Sequence, residues 1–203
     1  AMAEDAPVAR ELSGRLKGNH DFNARRSTVL LLELARLLRL FHQNGISVIP
    51  YKGPSFALRH YDAPGLRPCG DLDLLVAGSD VARGLELLQA NGYRIRSQGD
   101  RVSVESLVSY DNEITLDHRD NPLLTTELHW NLLTPGLRHP LSWDILWRAS
   151  HPAELRGVPT RALTPEAEFA VMALHAGLKH HWMPLKVLAD IARLIQRHPK
   201  LDW

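Results

Sequence analysis

The sequence predicts an α+β protein, a mixed β-sheet flanked by helices and followed by a C-terminal helical region. Three observations predict it. Between Arg26 and Asn44 the apolar residues keep helical spacing, with Glu33, Arg36 and Arg39 on one polar stripe. Short β-branched or alternating runs then recur, separated by helical segments, as in a sheet covered by helices. After a connector punctuated by Pro135, Pro140, Pro152, Pro159 and Pro165, the last segments are helical again.

The elements follow in order. Residues up to about Asn23 have no clear period, and we leave them unassigned or partly helical. The helix from Arg26 stops at Asn44-Gly45, a C-terminal signal. Ile46 to Pro50 suits a strand buried on both faces. Gly53-Pro54-Ser55 turns into a short helix through Tyr61, and the Pro- and Gly-rich stretch from Asp62 to Gly70 is a loop. Asp71 to Val76 predicts a second strand, Asp80 to Asn91 a helix and Tyr93 to Arg96 a third strand. Val102 to Asp117 alternates and predicts a hairpin turning near Asp111-Asn112, with a further strand from Thr125 to Leu132. Pro165 to Lys179 and Pro184 to Gln196 predict two helices, each with Pro where the first turn tolerates it. We therefore expect a core over residues 24–134, and a connector with a helical region over 135–203.

Composition narrows the function classes. The 203 residues carry 24 Lys and Arg against 23 Asp and Glu, a formal charge of +1, so bulk charge predicts no general nucleic-acid binding. The lone Cys69 cannot form an internal disulfide, and a cytoplasmic location is expected. No apolar run is long enough for a membrane span. Ala1-Met2-Ala3 reads as a cloning remnant, and the end at Leu201-Asp202-Trp203 suggests a shortened helical region.

Chemistry concentrates in three places. On a strand, Asp71 and Asp73 project together while Leu72, Leu74 and Val76 enter the core behind them. Two carboxylates so close call for a cation, and hard oxygen ligands suit Mg²⁺ carrying nucleotide phosphates; the bland reading is a pair of surface acids at a strand entrance. In Thr125 to Trp130, Glu127 and His129 share one face, opposite Leu128 and Trp130. If that strand lies near the Asp71 strand, Glu127 adds a third carboxylate, while His129 reads as a hydrogen-bonded wall residue. Lys52-Gly53-Pro54-Ser55, between a strand and a helix, is a candidate anion cradle, although it matches neither a Walker loop nor a dinucleotide fingerprint. His175, His180 and His181 do not make a zinc site, since His175 and His180 are five apart, about 140° around a helix. Trp143, Trp147, Trp182 and Trp203 read as core or interface aromatics.

Taken together, these residues resemble the DNA polymerase β-like nucleotidyltransferase superfamily, in particular its uncharacterised bacterial branch. The matching residues are Gly45-Ile46 and Val48-Ile49 before Lys52-Gly53, Arg67 four residues before Asp71-Leu72-Asp73-Leu74-Leu75-Val76, Gly92-Tyr93, and Glu127-Leu128-His129-Trp130. In the helical tail they are His175, Lys179-His180, Trp182, Leu185 and Asp190-Ile191. The resemblance covers roughly Arg26 to Trp203.

It implies a nucleotidyltransferase fold in which Asp71, Asp73 and Glu127 are the catalytic acids and bind two Mg²⁺ ions. It implies an NTP substrate, in the first instance ATP, whose NMP group passes to a hydroxyl of a small molecule or protein with release of pyrophosphate. The resemblance assigns nucleotide binding to Lys52, Gly53 and Ser55, with Pro54 interrupting the family's Gly-Ser pattern, and to Arg67, Lys179, His180 and Lys186. The competing reading is a catalytically silent nucleotide-sensing or partner-binding module on the same scaffold. For Arg67 the plainer alternative is a loop ion pair with Asp71 or Asp62; for Lys186, Asp190 and Arg193 it is an intrahelical ion network.

Overall fold

The fold is that of a computed structural model, which describes residues 7–96, 103–137 and 139–202. It begins with a long helix, α1 (Pro7–Gln43), that reaches well before Arg26. From residue 10 to 22 every side chain is exposed, so this part of α1 has no buried face and leaves no hydrophobic period in the sequence. Farther on, Leu30, Leu34, Leu37, Leu38 and Phe41 form a continuous buried stripe against the sheet. The chain then runs through β1 (Val48–Pro50), α2 (Gly53–His60), β2 (Leu72–Val76), α3 (Val81–Ala90) and β3 (Tyr93–Ile95).

The next segment departs from expectation. The predicted hairpin over Val102 to Asp117, whose first residue lies outside those described, is instead a helix, α4 (Val104–Tyr110), followed by β4 (Glu113–His118). Ser103 caps α4 by accepting a hydrogen bond from the Ser106 N–H at 3.2 Å, and Val104, Leu107 and Val108 pack on the core at helical spacing. Asp111-Asn112 therefore joins a helix to a strand. The true hairpin partner of β4 is β5 (Thr125–His129), which ends earlier than the Leu132 expected from sequence.

These five strands form one sheet in the order β1-β2-β5-β4-β3, with β2 and β5 parallel and the other neighbours antiparallel. Leu72, Leu74, Val76, Leu116 and Leu128 point to the face covered by α1 and α3. Alternation sends Asp71, Asp73, Leu75, Glu127 and His129 to the other face.

The Pro-rich connector is more ordered than predicted. It contains α5 (Trp143–Arg148) and a hairpin of β6 (Ser150–Leu155) and β7 (Val158–Leu163). Arg156 and Gly157 turn this hairpin with φ of 51° and 78°, the left-handed pair that matches strand twist. A two-stranded ribbon is all edge, so Pro152 and Pro159 fit without breaking a central ladder. Leu146 of α5 and Leu163 of β7 join Ile49, Tyr51 and Leu75 in a second core on the acidic side of the sheet. Two helices complete the fold: α6 (Pro165–Leu174), which runs on into a π-helical turn (His175–Lys179), and α7 (Leu185–Arg197).

Candidate active site

The sheet register brings the predicted acids together. Asp73 on β2 lies directly beside Glu127 on parallel β5, and Asp71 stands at the entrance of β2 on the same face. A cleft of about 230 Å³ opens there, walled opposite by α6, the π-helical turn and α7. Its lining includes Lys52, Gly53, Arg67, Asp71, Asp73, Glu127, Lys179, His180 and Lys186, nine of the ten site residues expected from sequence. The tenth, Ser55, is buried away from it. Its hydroxyl donates to the Pro50 carbonyl at 3.1 Å and accepts from Arg59 at 2.6 Å.

Gly53 is where the chain must pass closest to the acids. Its φ is +53°, and a side-chain carbon there would lie 2.9 Å from the Asp71 carbonyl oxygen and 3.3 Å from Asp73 Oδ2. Only glycine combines that backbone angle with that approach.

Asp73 is buried and engaged. Its Oδ1 pairs with Lys52 Nζ at 2.8 Å and with His129 Nε2 at 3.3 Å. Burial works against its charge, but Lys52 and His129 outweigh that and hold the carboxyl well below the usual carboxylate range. Burial likewise opposes the charge on Lys52, and Asp73 reverses it, so the amine titrates above its ordinary value. Asp71 differs. It makes no ion pair among the described residues, and burial together with the charges of Asp73 and Glu127 pushes it up to about 6.

His129 holds the middle of the face. Besides Asp73, its Nε2 lies 3.3 Å from Glu127 Oε2, and its Nδ1 lies 3.1 Å from Glu113 Oε2. Burial disfavours the imidazolium, yet these three carboxylates push it up to about 9. One ligand atom from each of Asp73, Glu127 and His129 can be chosen so that all lie within 4.8 Å of one another. His129 is thus a hydrogen-bonded wall residue, as expected, but its bonds are to the acids themselves.

Three cations assigned to nucleotide already hold acids. Lys52 is on Asp73. Arg67 is bidentate on Asp190 of α7, at 2.8 and 2.9 Å, and donates to the Gly53 carbonyl at 3.0 Å. Its alternative partners Asp71 and Asp62 are not the ones used; Asp62 is taken by Arg193 and Arg197 instead. That also replaces the intrahelical network expected for Lys186, Asp190 and Arg193, since Asp190 binds Arg67 and accepts from the Tyr61 hydroxyl at 2.7 Å. Lys179 sits on Glu113, its Nζ 2.6 and 2.7 Å from the two oxygens. Lys186 makes no ion pair or hydrogen bond among the described residues, and is the cleft lysine open to a ligand.

His175 and His180 meet edge to face, 4.5 Å between ring centroids, and His175 Nε2 lies 3.4 Å from Lys52 Nζ. Burial and the Lys52 charge push His175 down to about 3, so it is neutral beside the lysine. Trp143 and Trp147 stack within the second core, whereas Trp182 is half exposed; Trp203 lies outside the described residues.

Sequence reasoning missed Glu113 and the cleft residues Met172, Val187 and Asp190 as part of the site. For Glu113 a signal existed: Glu113, Thr115 and Asp117 alternate onto the face of Glu127. Placing a hairpin turn at Asp111-Asn112 hid it.

A parallel strand pair carrying acids from both members, beside a Gly turn and under a basic helical wall, defines a nucleotidyltransferase-like site. The family model described as uncharacterised nucleotidyltransferase matches residues 1–203, and the chain belongs to that family. No curated protein sequence matches it significantly. Among solved structures it is similar to the crystal structure of ANT(2″)-Ia in complex with adenylyl-2″-tobramycin, at 13% identity and a TM-score of 0.54, over 82% of this chain and 87% of that one. The solution structure of the antibiotic-resistance factor ANT(2″)-Ia is similar at 13% identity and a TM-score of 0.51, over 86% and 84%. These likenesses establish the shared fold. No helix among the described residues is long and apolar enough to cross a membrane.

Proposed function

We propose that this chain transfers an NMP group, in the first instance AMP from ATP, to a hydroxyl of a small molecule or protein and releases pyrophosphate. The observation that carries this reading is the convergence of Asp71, Asp73 and Glu127 on one sheet face inside a cleft whose opposite wall is basic.

The donor set fits hard divalent cations. Asp71 is a carboxylate without an ion-pair partner whose charge its surroundings resist, which is the condition a cation relieves. Asp71, Asp73 and Glu127 would hold two Mg²⁺ ions, which when bound supply charge neutralisation on the phosphates and activation of the acceptor hydroxyl. On the protein side, Lys186 and His180 face the triphosphate from the helical wall. Glu127, the half-buried outer acid, stands nearest the acceptor. Ser55 stays with Pro50 and Arg59, and Arg67 shapes the wall by holding α7 to the Gly53 turn. ANT(2″)-Ia was solved with an adenylylated tobramycin, which favours a small-molecule acceptor as the first to try.

The test is label transfer from α-labelled ATP with Mg²⁺ and a panel of hydroxyl-bearing acceptors. We expect transfer by the wild type and none above background with Asp73→Ala. Absence of both NTP binding and transfer in the folded wild type overturns the reading.

One observation favours the silent nucleotide-sensing or partner-binding alternative: Lys52 and His129 already occupy Asp73 Oδ1. Calorimetric binding of NTP with Mg²⁺ without turnover on any acceptor would select it.

A further inference from the structure

Glu113 stands in none of the roles above, yet it is tied into the site from every side. It faces His129 directly across the antiparallel β4–β5 pair. Its carboxylate accepts from Asn112 Nδ2 at 3.0 Å and from Lys179 of the π-helical turn, so it is fixed from both the sheet and the helical wall. One of its oxygens then meets Nδ1 of His129 at 3.1 Å. That histidine is buried, packed edge-on against the Tyr51 ring at 5.2 Å, and its other nitrogen is equidistant from Asp73 and Glu127. An imidazole can bridge two acids through Nε2 only while its ring is held at one rotation, and an acceptor at Nδ1 is what fixes that rotation.

The geometry points to Glu113 as a positioning residue that, through His129, sets the separation of the Asp73 and Glu127 carboxylates for cation binding. The inference rests on the cation site proposed above. Glu113 itself touches neither acid pair partner nor any phosphate in this role. Its effect reaches the site only through the orientation of the imidazole ring.

Calorimetry with Mn²⁺ alone on the full chain tests it. With Glu113→Ala, Mn²⁺ affinity is expected to fall about 10- to 100-fold, the range for losing a partner behind a ligand. With Glu113→Gln, whose carbonyl oxygen still accepts at Nδ1, it is expected to stay within about threefold of wild type. In transfer assays, Glu113→Ala is expected to lower kcat and leave KM for NTP nearly unchanged. Wild-type Mn²⁺ affinity in folded Glu113→Ala overturns the inference. So does a Glu113→Gln chain as weak as Glu113→Ala, because charge and not placement would then be responsible. Should Glu113→Ala not fold, Glu113→Asp decides in its place: its shortened side chain withdraws the acceptor, so weakened Mn²⁺ binding supports the inference and unchanged binding overturns it. A wild type that binds Mn²⁺ with this dependence but transfers no nucleotide leaves the inference standing and fails the enzymatic reading; one that binds no Mn²⁺ overturns both.

Discussion

Two groups of buried acids in this protein are treated in opposite ways. In the seam between α2, α6 and α7, Glu168 is held by Arg59 and by His60, the latter at 2.7 Å, and Asp190 by Arg67 and Tyr61. Each carboxylate there has its own guanidinium. On the sheet face, Asp71, Asp73, Glu127 and Glu113 share Lys52, His129 and Lys179, and Asp71 is left over. An acid that only joins two helices is stable when fully matched, whereas a net negative cluster at a cleft raises the energy of the ligand-free protein and lowers it again on cation binding. The difference separates architecture from function without reference to any relative.

Substitutions can break or sharpen that contrast. The largest effect is expected on the sheet face: Asp73→Asn keeps the shape and removes the charge, and should lower transfer by about 10³-fold, or about 4 kcal/mol, in the labelled-NTP assay. In the seam, Glu168→Ala leaves Arg59 and His60 unmatched and should cost about 3 kcal/mol in urea unfolding. Burial resists the Glu168 charge, but His60 and Arg59 lower its pKa, so its contribution is complete above about pH 4.5, the ordinary glutamate value. It is lost as the pH falls through the lower folded-state value, and a urea series from pH 7 downward should show Glu168→Ala converging on wild type.

The sign should reverse at the cleft. Asp71→Asn removes a charge the metal-free fold resists, so at neutral pH with chelator it should raise the thermal midpoint by a few degrees, and added Mg²⁺ should then stabilise it less than wild type. A lowered midpoint under chelator would erase the contrast between the two groups. Lys186→Ala should raise KM for NTP about tenfold, about 1.4 kcal/mol, with kcat little changed. The smallest effect is expected at Ser55→Ala, about 1 kcal/mol of stability from the bonds to Pro50 and Arg59, with KM for NTP unchanged.

Much of the acid face was legible beforehand. The Asp-x-Asp run and Glu127 sit on strands whose alternation is strict, and the structure places all three where that alternation requires. Legibility failed where local patterns compete. Val104, Leu107 and Val108 satisfy a helix as well as a strand, and the Ser103 cap tips the balance toward α4. The proline-studded connector read as irregular because a lone hairpin tolerates proline that a central strand would not. The early turns of α1 left no trace because nothing covers them.

The sequence by itself determined which side chains share a face, because the two-residue repeat of a strand is a local property of the backbone. It also determined the glycine at position 53, since a positive φ beside a strand excludes other residues. Only the tertiary structure decided how the cations are spent. Arg67 and Asp190 are 123 residues apart, and Lys179 and Glu113 are 66 apart. Ion pairs are set by distance after packing, and no spacing along the chain encodes them.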